Sequence, residues 1–381
     1  MMAEDSSEQR ISRLTPLSEV LALIESHVRA VEPQRLELAQ ALGATLAEDV
    51  VAGPLPPQPI ALRDGYAVEA AALADAGSYM PVPLPPMARR IDVGEVLPAG
   101  CDAVLPADAI AVRGGRVEAV AAVAPGDGVL SAGDDATPRT ALRRAGERLR
   151  APDIAVMAAA GIEAVSVRAP RVAVVGNIPA PPRILDAARA MLIRAVIGAG
   201  GTPFGEAGIL LASLDYEQPE LTISIGGTGS GGGDDGVRKL ARYVSLRTPT
   251  EYGRIECHGI AVSPGETAAL GFIGVRPVLL VPGRLDAALA VWLLIGRPLV
   301  AKLAGGRIED WSVTLPLKRK VTSTIGLTEV VPVSRTGAMA EPLASGYLSL
   351  TSLARSDGWI VVPADSEGFA EGTPVAVRPW P

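Results

Sequence analysis

Arg171-Val-Ala-Val-Val-Gly176, then Ile223-Ser-Ile-Gly-Gly-Thr-Gly-Ser-Gly-Gly-Gly-Asp-Asp235 running into Val237-Arg-Lys-Leu-Ala-Arg-Tyr243, is the stretch that decides the fold. The first run is apolar and uncharged after Arg171, which reads as a strand buried on both faces, the kind found in parallel sheets. The second run ends in six glycines and two aspartates, and a helical pattern follows. Strand, glycine loop and helix in succession are how α/β domains bring bare backbone up to a phosphate. A ligand is expected here.

The alternation continues outward. Leu185 to Ala199 reads as a helix ending at Gly200-Gly201, and Leu221 to Ile225 as a buried strand. Asp235 to Tyr243 is the next helix, Val278 to Val281 a strand cut off by Pro282-Gly283, and Leu285 to Ile295 an apolar helix. Strands alternating with helices predict a doubly wound α/β sheet, with ligands beyond the carboxyl ends of its strands. The loops at 226–233 and 282–283 each follow such a strand, so they are expected to meet at one rim.

Upstream, Thr15-Pro16-Leu17-Ser18-Glu19 reads as a helix start with Thr at the cap, and Leu36 to Leu42 as a second short helix. Pro54 to Pro59 reads as a polyproline-like spacer. Asp64-Gly65 is a turn entering a strand, and short strand-like runs to about Asp135 predict a small β domain. A helix over Pro152 to Ala160 stops at Gly161. Downstream of Ile308 no helical pattern is found; Val313 to Val321, Glu329 to Val333, Trp359 to Pro363 and Val375 to Arg378 predict a C-terminal β domain.

A chain of 381 residues exceeds one ordinary core. It is 48% hydrophobic but only 3% aromatic, so Val, Ala, Leu and Ile must do most of the packing. A net charge of −7 disfavours nucleic acid as the main partner. No apolar run reaches the length of a membrane span, and the first dozen residues lack the pattern of a signal peptide, so the expected location is cytoplasmic. Cys101 and Cys257, with only His27 and His258 to help, make neither a disulfide framework nor a zinc site; Cys257-His258 reads as a buried thiol beside a loop histidine.

Each candidate site residue has two readings. Gly226, Gly227, Thr228, Gly229, Ser230 and Gly231 form a phosphate cradle with Asp234 holding a divalent cation, or a surface turn capping the next helix. Asp64 is a catalytic carboxylate or the first residue of a tight Asp-Gly turn. Asp186 is a ligand or a favourable first-turn charge. Pro282-Gly283-Arg284 offers a guanidinium at the rim, or a solvated arginine.

Taken together, the segments resemble the molybdopterin molybdenumtransferase family (MoeA and the gephyrin E domain). The likeness runs through Leu14-Thr-Pro-Leu-Ser-Glu19, Leu42-Gly-Ala-Thr-Leu-Ala-Glu-Asp-Val50, Asp64-Gly-Tyr-Ala-Val68 and Leu97-Pro-Ala-Gly-Cys-Asp-Ala-Val104. It continues through Gly126-Asp-Gly-Val-Leu-Ser-Ala-Gly-Asp134, the Arg171 strand, the glycine loop, His258-Gly-Ile-Ala-Val-Ser-Pro-Gly265 and Val281-Pro-Gly283. The resemblance implies an α/β plus β multidomain fold: a discontinuous helical linker domain (1–50 and 137–168), a small β-rich domain (51–136), a central doubly wound α/β domain similar to small molybdopterin-binding proteins (169–306) and a C-terminal β domain (307–381). It further implies a homodimer that inserts molybdenum from molybdate into molybdopterin, starting from adenylylated molybdopterin and releasing AMP with magnesium. Asp64 and Asp234 are then the catalytic and metal-binding carboxylates. A molybdoenzyme partner is implied downstream; neither nucleic acid nor membrane is.

Departures from the family fall on the chemistry. A Thr-Gly-Asp-Glu-Leu type loop after Val175 is replaced by Gly176-Asn-Ile-Pro-Ala-Pro181, and Asp-Asn-Ser before Asp-Gly-Tyr by Pro59-Ile60-Ala61. Ser263 and Glu266 stand where basic residues are expected, Pro332 where an arginine is, and Pro-Gly-Asn-Pro has become Pro282-Gly-Arg-Leu285. Each lost cation removes a charge-assisted hydrogen bond worth about 1.5–3 kcal/mol. Hence a second expectation: a catalytically degenerate paralogue that carries the cofactor or scaffolds a molybdoenzyme.

Overall fold

A computed structural model describes residues 11–176, 183–205, 218–229, 236–246 and 253–381. They form two compact units, one of the described residues up to 48, 145–151 and from 164 onward, and one of residues 49–144 and 152–163.

The larger unit is built on a six-stranded mixed sheet. Its elements are β1 (Arg171–Gly176), α1 (Arg183–Gly198), β2 (Thr202–Pro203), β3 (Leu221–Ile225), α2 (Gly236–Leu246), β4 (Gly253–His258), β5 (Ala269–Ile273), β6 (Arg276–Val281) and α3 (Leu285–Val291). Strand order is β2-β1-β3-β6-β5-β4. The first four run parallel, with Val172 opposite Leu221 and Ile225 opposite Val281, whereas β6-β5-β4 is antiparallel. The sheet is therefore mixed, with three of its five pairings parallel as expected and two antiparallel. The two strands β4 and β5 lie in a stretch where no strand was anticipated, because Gly253 to His258 carries Arg254 and Glu256 and hides its pattern.

Two-sided burial explains the uncharged runs. Val172, Val174, Leu221, Ile223, Leu279 and Val281 pack on one face with Leu185, Ala188 and Leu192 of α1 and with α3. Ala173, Val175, Val278 and Leu280 alternate onto the other face with Val237 and Leu240 of α2. Period-two alternation, apolar at both phases, is what a strand covered by helices on both sides requires.

The expected helix Leu285 to Ile295 is longer than its apolar stretch. A wide π-type turn, Trp292–Gly296, joins α3 to α4 (Arg297–Leu303). The Arg297 N–H reaches back five residues to the Trp292 carbonyl. Pro298 has no N–H and its ring crowds the preceding turn, which accounts for the widened turn. Gly296 is also needed there: a Cβ would lie 2.5 Å from Trp292 Cε3.

Other expectations are corrected. The helix after Thr15 runs Leu17–His27 with Pro16 at its cap, while the Thr15 N–H donates to the Gly259 carbonyl at 2.9 Å. Gln34–Glu37 is a strand followed by a single 3₁₀ turn, because it pairs with Ala164–Arg168. Pro54 to Pro59 is folded back, with Leu55 bridged to Ala136, instead of spacing. The C-terminal part centres on Thr328–Thr336, paired with Met339–Pro342, Gly358–Val362 and, in parallel, Val262–Ser263. It also holds a short helix, Leu350–Arg355, whose Ser349 oxygen accepts the Ser352 N–H.

In the smaller unit Gly65–Val68 lies between Arg89–Ile91 and Ala103–Pro106, with Val68, Leu73 and Leu105 in its core.

Gly296→Ala is expected to destabilise the protein by about 1–3 kcal/mol through overpacking against Trp292. Gly198→Ala, at an exposed position of α1 with open space around it, should stabilise it by about 0.5 kcal/mol. Urea unfolding followed by circular dichroism checks the opposite signs.

Candidate functional site

The carboxyl ends of β1, β3 and β6 lie side by side because the three strands are parallel and in register. There the two anticipated loops meet. The Gly226 N–H donates to the Val281 carbonyl at 2.9 Å, and a Cβ on Gly283 would sit 3.8 Å from the Gly226 Cα and 2.9 Å from Leu185 Cδ2. Gly226 and Gly227 have φ of +86° and +82°, a left-handed backbone that side chains disfavour by roughly 1–2 kcal/mol. The loop thus turns sharply out of β3.

Thr228 is fixed at its far side. It is 2% exposed, its hydroxyl lies 2.9 Å from that of Thr267, and its carbonyl is 2.9 Å from His258 Nε2. A carbonyl only accepts, so Nε2 carries the proton. Two backbone amides remain: among the described residues the N–H groups of Thr228 and Gly229 have no partner. Neither His258 nor Thr267 was read as a site residue. His258 is the last residue of β4, not a loop histidine, and only the antiparallel pairing of β4 brings it to the rim. Cys257 is buried beside it, its thiol pushed up by burial.

Arg284 is exposed but engaged. Its guanidinium pairs with the carboxylate of Asp286, Nε to Oδ1 at 3.1 Å, and lies 4.9 Å from the centre of the Tyr347 ring. Asp286 is 3% exposed and also accepts the Leu348 N–H at 3.1 Å. The hydrogen bond to Asp286 raises the Arg284 pKa above the usual range. Its charge is therefore matched within the protein, and it ties the rim to the C-terminal part. Glu266, whose Oε2 accepts the Gly265 N–H at 3.1 Å, adds a negative charge near it. Asp186 is exposed in the first turn of α1, and Pro282 is buried.

Ser230, Gly231 and Asp234 lie outside the described residues, as does the segment 177–182. Asp64 belongs to the smaller unit, where its Oδ1 accepts the Val93 N–H at 2.8 Å. Gly65 beside it is required by close approach, since a Cβ there would overlap the Leu105 carbonyl. Among the described residues no three His, Cys, Asp or Glu side chains gather as metal ligands. The described residues do not by themselves make a magnesium site. What the rim offers is a glycine turn whose Thr228 and Gly229 amides have no partner among the described residues, a type of backbone arrangement that suits a phosphate oxygen.

Comparison with known proteins bears on the family of the chain. The family model for the MoeA N-terminal region (domain I and II) matches residues 15–161, and that for the MoeA C-terminal region (domain IV) matches residues 314–380. A putative molybdopterin biosynthesis protein of Methanocaldococcus jannaschii is 32% identical over 144 residues, 37% of this chain and 34% of that protein, so this chain spans about a third of it. Molybdopterin molybdenumtransferase 1 of Mycobacterium tuberculosis is 25% identical over 95% of this chain and 98% of its own length. The crystal structure of a molybdopterin biosynthesis MoeA protein from Pyrococcus horikoshii has a TM-score of 0.70 at 26% identity, covering 97% of this chain and 100% of that one. With both family regions matched in chain order and the fold shared over nearly its whole length, this chain belongs to the MoeA family.

Proposed function

We propose that this protein acts in molybdenum cofactor biosynthesis as a molybdopterin molybdenumtransferase, with adenylylated molybdopterin and molybdate as its substrates. The observation that carries the reading is the left-handed glycine turn at the carboxyl ends of parallel strands, where the Thr228 and Gly229 amides have no partner among the described residues. A phosphate oxygen accepts from such donors without any side-chain cation. The names borne by relatives that match along almost the whole chain support the chemistry.

In this reading Gly226, Gly227, Thr228, Gly229, Ser230 and Gly231 cradle the phosphate, Pro282 and Gly283 shape the opposite wall, and Arg284 and Asp186 border the entrance. Asp64 and Asp234 are the catalytic carboxylates and the ligands proposed for magnesium, which commonly takes one or two carboxylates together with substrate phosphates. The protein is proposed to work in the cytoplasm as a homodimer with the four-part division 1–50 with 137–168, 51–136, 169–306 and 307–381, and to hand its product to a molybdoenzyme. No described helix is long and apolar enough to cross a membrane.

Purified protein given adenylylated molybdopterin, molybdate and magnesium should release AMP. Tight binding by calorimetry without AMP release would instead establish a carrier or scaffold, and no binding would remove both readings. Gly227→Ala forces a side chain into the left-handed backbone and shifts the amides, so the Kd for adenylylated molybdopterin should rise about tenfold. Gly274→Ala carries the same kind of strain at an exposed turn and should leave that Kd unchanged. Asp64→Asn keeps an oxygen for the Val93 N–H, so the unit should stay folded while the rate of AMP release falls at least about tenfold; an unchanged rate would free Asp64 of any catalytic role.

A further inference from the structure

The amino ends of the parallel strands, at the opposite end of the sheet from the glycine rim, border a cavity that the transferase reading does not use. Arg171 begins β1, Glu220 immediately precedes β3 and Arg276 begins β6. The length of β3, Leu221–Ile225, therefore puts roughly 17 Å between this cavity and the rim. It encloses about 640 Å³, within the range of about 300–1,000 Å³ that holds a small organic molecule. All the residues that line it belong to the larger unit.

Part of the lining is apolar and already fixed. Val31 and Leu303 both border the cavity, and the Val31 N–H donates to the Leu303 carbonyl at 2.8 Å. Arg168 Nε donates to the Val31 carbonyl at 3.0 Å. The segment after the helix Leu17–His27 is thus held against the end of α4 without help from a ligand.

The charges of the cavity do not cancel. The guanidiniums of Arg29, Arg171 and Arg276 share it with the carboxylates of Glu32 and Glu220. Arg171 and Glu220 satisfy each other, Nη2 lying 2.7 Å from Oε1 and Nε 3.1 Å from both oxygens. The Arg171 guanidinium is further held over the Phe204 ring, 4.5 Å from its centre. Arg29 and Arg276 then stand against Glu32 alone, a surplus of one positive charge. Arg29 Nη1 donates to the carbonyls of Glu25 and Val28 at 3.4 and 3.2 Å, both neutral acceptors. Among the described residues neither Arg276 nor Glu32 has a side-chain hydrogen bond or an ion pair.

Arg276 is half-buried, so its charge acts in a medium less polar than open water. A guanidinium without a protein partner matches a carboxylate, sulfonate or phosphate through parallel N–H donors. The single surplus charge selects a monoanion. The volume and the apolar part of the lining select an organic body over a bare inorganic ion.

We propose that this cavity binds an organic monoanion with an apolar body, its charged group held by Arg276 and Arg29 and its body resting on Val31 and Leu303. The site lies apart from the glycine rim, and the inference does not depend on the transferase reading.

The dye anilinonaphthalene sulfonate has this chemistry and reports its own burial by fluorescence. The full chain is expected to bind it saturably, with Arg276→Gln and Arg29→Gln each weakening the Kd about tenfold. Ala30→Trp, at an exposed position of the lining, fills the space and should abolish the response. The uncharged analogue phenylnaphthylamine should bind at least about tenfold more weakly than the sulfonate. Circular dichroism verifies folding; Arg276 has no described side-chain partner to lose, so Arg276→Gln decides the matter if another variant fails to fold. Displacement of the dye more readily by octanoate than by hexyl phosphate assigns a carboxylate ligand, and the reverse order a phosphate. The proposal is overturned if binding does not saturate, if neither anion displaces the dye, or if the uncharged analogue binds as tightly. It is equally overturned if Arg276→Gln keeps full affinity, or if Gly227→Ala and not Ala30→Trp abolishes the response, which would put the dye at the rim.

Discussion

The hydrogen bond from the Gly226 N–H to the Val281 carbonyl is the last rung of the parallel ladder between β3 and β6, and the rim depends on it. With Ile225 opposite Val281, the glycine turn and the Pro282-Gly283 turn leave the sheet together. A shift of one residue would turn each strand's faces over and carry the loop away from its partner. The ladder is protected from such a slip because both faces of β3 are buried, Ile223 and Ile225 on one side and Thr222 and Ser224 on the other. Core and site are thus set by one constraint.

That constraint extends through Asp286. Its buried carboxylate takes the Arg284 guanidinium from the rim and the Leu348 N–H from the C-terminal part. A buried charge is tolerated only when paired and hydrogen-bonded, and both conditions are met here. The consequence for chemistry is that Arg284 is not a spare cation. Glu266 lies nearby and Ser263 is buried, so neither adds a cation to the described rim.

The α/β character, the strands β1, β3 and β6, the helix α1 and the meeting of the two glycine loops were legible from residue order alone, because uncharged runs of Val, Ile and Leu ending in Gly or Pro are a local signal. The family, too, was legible, since its motifs are short and keep their order. The antiparallel edge of the sheet was not: Gly253 to His258 mixes charges with apolar residues, and its strand conformation comes from pairing with Ala269–Ile273. For the same reason neither His258 nor Thr267 reads as a site residue, both being distant in sequence from the Thr228 they hold. Arg284 read as a free guanidinium until Asp286 and Tyr347 were seen around it. Arg148, Arg297, Arg307 and Arg378, from four separate segments, line one cleft of the larger unit. Sequence determined the central parallel strands, their glycine turns and the helices between them, because those preferences act over a few residues; which edge segments pair and which charges meet was decided only by tertiary packing, because such neighbours are set by distance in space.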